Sequence, residues 1–420
     1  MRVFSLPYGS GTADLFLPRG VKFLGKLSPL DTPGLESFEE SFITALRNPV
    51  SLRSLKDICS PGDRVAVLVS DVTRSYKTQF FLPLLLDELN RAGVPDEDVF
   101  VVFACGAHRP QEKKEQIRIL GQEVAERISY MDHDCRNRED HIYMGTSSRG
   151  TEVKLNKSVV EADKCILTGL VEYHYYAGFT GGRKSVLPGI SAYETIQQNH
   201  RLLFKPGATT GRLRGNPVHE DMLEAADMLK PDFLINIVLN AEGDAAGIFA
   251  GDYIAAHLEG CNLVEKIYGR EIHKKADIVI SSPGGYPKDI NYYQAHKALD
   301  NAFHAVREGG VIILLAECRE GLGHEGFLHW FKYSPSRAKE KLLEEFEVVG
   351  HNAYSTLLKA EKVHVIMVSS LPEKLSRHLP FQCVDDVEEA VKEAVRLTGA
   401  SPSAYLMPLA YSTFPVSPGT

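Results

Sequence analysis

Short, continuous apolar runs recur along the chain at residues 64–70, 99–104, 164–170, 233–239, 276–282, 310–316 and 362–369, each followed by a turn and a helix-like stretch. Runs of this length without polar alternation suit strands buried on both faces. Their alternation with helices predicts an α/β chain with parallel sheets. Residues 78–92 carry Phe81, Leu84, Leu85 and Leu89 at helical spacing, and residues 111–127 carry Ile117, Leu120 and Val124. Both stretches are predicted as amphipathic crossover helices.

A boundary is expected near residues 263–275, where a helix ending in VEKIYG gives way to the charged REIHKK and then to a fresh strand. The predicted organisation is a larger N-terminal α/β domain, residues 1–268, and a smaller one, residues 272–390, built as strand, helix, strand, helix, strand. The apolar stretch 405–414 is expected to be docked rather than loose, with the tail 398–420 packing back on the N-terminal domain.

Charge and cysteine usage narrow the partners. Lys plus Arg number 47 against 55 Asp plus Glu, a net charge of −8, so the phosphate-neutralising surplus of a nucleic-acid binder is missing. The 7 cysteines are scattered, with no CxxC pair. That argues against a disulfide framework and a thiolate zinc site, and for a reducing, cytoplasmic compartment. No apolar run approaches the length of a bilayer span, and Pro7 and Gly9 interrupt the start before an export signal could form. Against this background the 15 histidines stand out.

In open α/β sheets ligands bind beyond the carboxyl ends of the strands. Here those positions are reactive. The first run is followed by SDVTRSYK with Asp71, Thr73 and Arg74, the second by CGAHRP with His108, and the third by GLVEYHYYAGFTGGRKS with His174 and Lys184. Asp71 and Thr73 also suit a helix N-cap, and an isolated histidine after a strand is usually an ordinary residue. Three successive strands ending in titratable or cationic groups are a stronger signal, because parallel neighbours would bring the groups together. The loop GFTGGRKS nearly matches the phosphate-binding P-loop, but Arg183 stands where glycine must precede the lysine. Gly181 and Gly182 permit close backbone approach to a monophosphate, Arg183, Lys184 and Ser185 supply charge and a hydroxyl, and Lys184 is also a candidate covalent anchor. His200, near the end of a predicted helix, is either a partner for the helix dipole or a nitrogen ligand for nickel, zinc or copper. On a later helix Tyr293, Gln294 and Lys297 share one face behind Gly284 and Gly285, suited either to solvent or to a carboxylate.

Taken in order, DVTR (71–74), GAHRP (106–110), EYHYYAGFTGGRKSVLPGI (172–190), NH (199–200) and SPGGYPKDINYYQAHKA (282–298) resemble the nickel-pincer lactate racemases and the related 2-hydroxyacid racemases and epimerases. The resemblance implies a large N-terminal domain and a smaller Rossmann-like C-terminal domain, with the active site in the cleft between them. It also implies nickel held by a pyridinium bisthiocarboxylate mononucleotide, the nickel-pincer nucleotide, bound covalently to Lys184, with His200 as the protein's ligand to the metal. His108 and His174 become paired acid/base residues. Asp71, Thr73 and Arg74 match the first active-site loop, Arg74 on the substrate side with Tyr293, Gln294 and Lys297. The implied partners are a small 2-hydroxyacid and the cofactor-synthesis proteins that load the chain, with no nucleic acid and no membrane. In the family's proposed mechanism a histidine takes the hydroxyl proton while hydride leaves C2 for the cofactor, and the 2-keto acid regains hydride on its other face. The lactate enzymes carry a Trp in the C-terminal domain, whereas the matching stretch here, NAYSTLLKA (352–360), has none. Lactate, malate, phenyllactate, longer aliphatic hydroxyacids and sugar acids therefore all stay open as substrates. A nicotinamide-dependent hydroxyacid dehydrogenase would need a G-x-G-x-x-G turn that SPGGYPKD does not provide, and a non-catalytic nickel- or cofactor-binding protein is the remaining alternative.

Overall fold

The computed structural model describes residues 2–73 and 76–417. The chain divides into two compact units: Asp31–Lys266, and the residues up to Leu30 together with those from Ile267 onward.

In the first unit a six-stranded sheet runs in the order Ala245–Gly251, Phe233–Leu239, Lys164–Leu170, Val65–Val69, Val99–Phe103, Ser129–Asp132. Only the Ala245–Gly251 edge is antiparallel. Side chains alternate across a strand, so the unbroken apolar runs feed two cores. Val65, Val67 and Val69 pack with Phe42, Phe81, Leu85 and Leu89 on one face, while Ala66 and Leu68 pack with Val218, Met222 and Ala226 on the other. The helix expected over 78–92 is Thr78–Arg91. The one expected over 111–127 is two, Lys113–Leu120 and Gln122–Arg127, because Gly121 adopts φ +83, ψ 151 and ends the first helix on a bond to the Ile117 carbonyl.

In the second unit a parallel sheet runs in the order Gln382–Val384, His364–Val368, Val306–Leu315, Ala276–Ser281, Ser403–Met407, Lys22–Lys26. The expectation that the tail returns to the N-terminal domain is thereby corrected. Every residue of Ser403–Met407 is buried, and the open edge of Ala276–Ser281 supplies both the hydrogen bonds and the covered faces such a strand needs. The first residues of the chain also belong here: Lys22–Lys26 extends the sheet, and Leu6, Leu15 and Leu17 of the N-terminal hairpin join its core.

Asp277 pins the tail strand, accepting from the Ser403 amide at 2.7 Å and hydroxyl at 2.6 Å, with Arg307 Nε at 2.6 Å. Burial pushes its carboxyl up, but these bonds prevail and lower it to about 2. A carboxylate held below its unfolded pKa contributes stability that is present above about pH 4 and lost as pH falls toward 2. Asp277→Asn is expected to cost about 1–2 kcal/mol at pH 7 and to flatten the acid limb of a denaturation curve over that window. No helix among the described residues is long and apolar enough to cross a membrane.

Candidate active site

The strands Lys164–Leu170, Val65–Val69 and Val99–Phe103 are immediate neighbours, so the three segments that follow their carboxyl ends emerge side by side. Asp71, 3% exposed, accepts a 2.5 Å bond from His108 Nδ1 on one oxygen and bonds from the Thr73 amide and hydroxyl on the other. Burial raises the Asp71 carboxyl and these bonds outweigh it, leaving the group below its ordinary value and ionised. His108 is half exposed. With Nδ1–H given to Asp71, its Nε2 carries the lone pair of a base. Gln111 ties the two loops together, taking the Val72 amide on its carbonyl at 2.8 Å and giving its own N–H groups to Asp132. Arg74 lies outside the described residues.

The third segment folds into a small hairpin pairing Tyr173–His174 with Gly178–Phe179. At its bend stands Tyr176, a buried ring that sequence reasoning passed over. The His174 ring lies edge-on to it at 4.5 Å between centroids, the His200 ring at 5.4 Å, and Lys184 Nζ lies 5.9 Å from its centre. The candidate acid/base residue, metal ligand and anchor are thus gathered around one phenol ring, although they come from a hairpin, a 3₁₀ turn and the helix Tyr193–Arg201. His174 Nδ1 accepts the Ala177 amide at 3.3 Å, which directs the proton of its neutral ring to Nε2. A second link joins this region to His108, through the Gly106 amide on the Gly189 carbonyl at 2.9 Å.

The glycine-rich loop works differently from the sequence expectation. Arg183, 1% exposed, gives its guanidinium to the carbonyls of Ala177 and Gly181 and to His257 Nε2. Ser185 donates to the Thr168 carbonyl at 2.8 Å. Both side chains brace the loop against its own scaffold. A Cβ on Gly181 would meet Val171 at 2.9 Å and one on Gly182 would meet His257 at 2.8 Å, with φ +76 and +54. The glycines are required by internal packing and by the left-handed turn. Burial lowers the Arg183 guanidinium to about 10 and, with Arg183 beside it, the His257 imidazole to about 3, so His257 is a neutral prop.

His200 is 6% exposed. Its neighbour Asn199 is held by Asp221 at 2.8 Å and by the Val218 carbonyl at 3.3 Å, and Asp221 also receives Ser147 and Thr151. This buried network sets the end of the helix that carries His200. Among the described residues no group of three or more His, Cys, Asp or Glu side chains is arranged to hold a metal. A metal on His200 would take its other donors from a second molecule, and the amine of Lys184 beside the same ring is suited to anchoring one.

In the second unit Gln294 and Lys297 come together as expected: Lys297 Nζ donates to Gln294 Oε1 at 3.2 Å and to Tyr411 Oη at 2.8 Å. Tyr411, in the tail, had no local signal in the sequence. Tyr293 is turned toward Phe327 and His296, with centroids at 6.2 and 5.9 Å.

Residues 8–211 match the sequence model of the lactate racemase N-terminal domain, and residues 272–412 that of the lactate racemase C-terminal domain. The chain is 37% identical over 349 residues to the lactate racemase of Thermoanaerobacterium thermosaccharolyticum, covering 82% of this chain and 81% of the relative. Against the lactate racemase of Lactiplantibacillus plantarum it is 37% identical over 295 residues, 70% of this chain and 69% of the relative. The solved lactate racemase apoprotein of T. thermosaccharolyticum superposes with a TM-score of 0.89 at 33% identity, covering 99% of this chain and 100% of that one. A Thermotoga maritima protein, 19% identical with a TM-score of 0.62 over 90% of this chain and 98% of its own, shares the fold. With both domain models matched in order and the relatives aligned over most of the chain, this protein belongs to the lactate racemase family and is an isomerase of the racemase class.

Proposed function

We propose that the chain inverts C2 of a 2-hydroxyacid with a nickel-pincer nucleotide tethered to Lys184 and nickel ligated by His200, using His108 and His174 as the proton carriers. The observation that carries this reading is the convergence of His174, Lys184 and His200 on the ring of Tyr176. Removing the C2 proton would put carbanion charge beside a carboxylate, whereas a bound nickel-pincer group supplies a reversible acceptor for hydride.

The chain's own residues then handle protons. His108, with Nδ1 on the ionised Asp71, takes the hydroxyl proton at Nε2, and Asp71 stabilises the imidazolium that results. His174, with Nδ1 facing the Ala177 amide, presents Nε2–H and can return a proton to a carbonyl oxygen. The resting tautomers are complementary, one ring ready to accept and the other to donate. Two such rings are wanted because enantiomers bound through the same carboxylate present their hydroxyls on opposite sides. Lys297 and Gln294 supply donors for that carboxylate, and Arg74 and Tyr293 are assigned to substrate binding as well. Thr73 and the loop bearing Gly181, Gly182, Arg183 and Ser185 shape the cofactor's seat, the last four through the scaffold contacts above. The reading makes cofactor-synthesis proteins the loading partners. A cytoplasmic setting accords with 7 cysteines that all remain thiols.

The test is an intact mass and a nickel assay on chain co-expressed with cofactor-synthesis proteins. The expected result is a mass increment of one nucleotide and about one nickel per active chain, both lost in Lys184→Ala together with racemisation. An unmodified, nickel-free chain with full activity would overturn the reading.

A further inference from the structure

Asp71 and His108 lie on loops that leave two different strands, so the 2.5 Å bond between them depends on how one loop is held against the other. The Val72 amide belongs to the same peptide plane as the Asp71 carbonyl, and it is donated to Gln111 Oε1 at 2.8 Å. Gln111, on the segment that follows His108, therefore fixes the peptide next to the Asp71 side chain. Its own place is set from the edge strand Ser129–Asp132, which pairs with Val99–Phe103 so that Asp132 stands level with Phe103. Asp132 Oδ2 takes the Gln111 main-chain amide at 2.7 Å, and Oδ1 takes Gln111 Nε2 and Gln116 Nε2, each at 3.0 Å.

This relay has a direction. A side-chain amide carries a donor end and an acceptor end of nearly the same shape, so shape alone leaves two orientations open. A carboxylate accepts and does not donate, so Asp132 claims the NH₂ of Gln111 and turns its carbonyl toward the Val72 N–H. Asparagine at 132 would keep its carbonyl on the Gln111 main-chain amide and turn its own NH₂ to the side chain, reversing the Gln111 amide and setting NH₂ against the Val72 N–H. At the far end of the relay, Asp71 Oδ2 decides which nitrogen of His108 keeps its proton.

We infer that Gln111 and Asp132 are positioning residues for the base: they hold the Asp71 loop so that its carboxylate keeps the His108 proton on Nδ1 and leaves Nε2 to accept. Neither touches a reacting atom. The inference rests on the reading of His108 as a proton carrier. It adds to that reading a residue on the edge strand, outside the three strands whose loops bear the site.

The test reads the ring nitrogens of His108 by NMR in full-length chain labelled with ¹⁵N in histidine, the His108 signals being those lost in His108→Gln. With the imidazole neutral, wild type is expected to show Nδ1–H and an unprotonated Nε2. Gln111→Met, which keeps the length and loses the amide, and the nearly isosteric Asp132→Asn are each expected to move the proton toward Nε2. In loaded enzyme both variants are expected to lower kcat by about tenfold to 10²-fold with KM within about threefold, the scale of a base misplaced by about an ångström. The double variant is expected to lose no more than Gln111→Met alone, because both act through one relay. Thermal melts identify the folded variants, and Asp132→Asn carries the test where Gln111→Met does not fold. Wild-type nitrogen shifts in the folded variants, or an unchanged kcat, overturn the inference while leaving racemisation to stand on its own test. Because the shifts are read before loading, they decide the positioning role even where the chain inverts no 2-hydroxyacid.

Discussion

Exchanging His108 for Gln is expected to lower racemisation by about 10²–10⁴-fold, the usual contribution of a positioned general base. Glutamine can occupy much of the same volume and still bond to Asp71, but it cannot carry a proton. Because the two enantiomers are equal in free energy in water, kcat/KM must fall by the same factor from either side, and optical rotation started from each pure enantiomer checks this. His174→Gln is expected to behave alike. Asp71→Asn probes the base through its partner: an amide N–H facing Nδ1 would push the ring proton to Nε2, removing the lone pair that accepts the hydroxyl proton. A loss of about 10²-fold or more with unchanged nickel and cofactor content is the expected outcome. Full activity in Asp71→Asn would show that His108 does not act as the base.

The second large effect concerns Tyr176, which touches no reacting atom in this account but borders three residues that matter. Tyr176→Leu removes the flat ring against which His174, His200 and Lys184 are set. Misplacement of a reacting group by about 1 Å can cost about 10²-fold, so a drop of that order in kcat is expected. Tyr176→Phe keeps the ring and is expected to retain activity within about fivefold on the same argument. Thermal melts of both variants distinguish misplacement from unfolding, since losing a buried ring destabilises the fold even when the site is not involved. Equal losses in the Phe and Leu variants would assign the role to the hydroxyl.

The contrast between Arg183 and Tyr176 shows where sequence reading reaches its limit. Arg183 looked like a ligand for phosphate because a cation among glycines usually faces outward. Positive φ at Gly181 and Gly182 instead turns the loop so that the guanidinium meets the carbonyls of Ala177 and Gly181, and a one-dimensional pattern does not record that turn. Tyr176 was legible as an aromatic in EYHYY, but nothing in its spacing says that residues 8 and 24 positions downstream return to it. By contrast, the runs at 64–70, 99–104 and 164–170 were readable because double-faced burial demands unbroken apolar residues. Their adjacency in the sheet is what makes the three reactive loops one region. Strand Ser129–Asp132, with its partly exposed SYMD, carries no such run and was missed. The tail strand was visible as apolar, yet its destination depended on which sheet had an edge to fill.

The central claim is that C2 is inverted through hydride transfer with the proton traffic confined to oxygen and the two histidines. It is tested most directly by letting the loaded enzyme racemise a single enantiomer of a 2-hydroxyacid that it inverts in D₂O and reading C2 by proton NMR. Inverted product that retains protium at C2 is the expected result, since the hydrogen that leaves as hydride does not exchange with solvent. Inverted product carrying deuterium at C2 would contradict it and point to abstraction of the C2 proton.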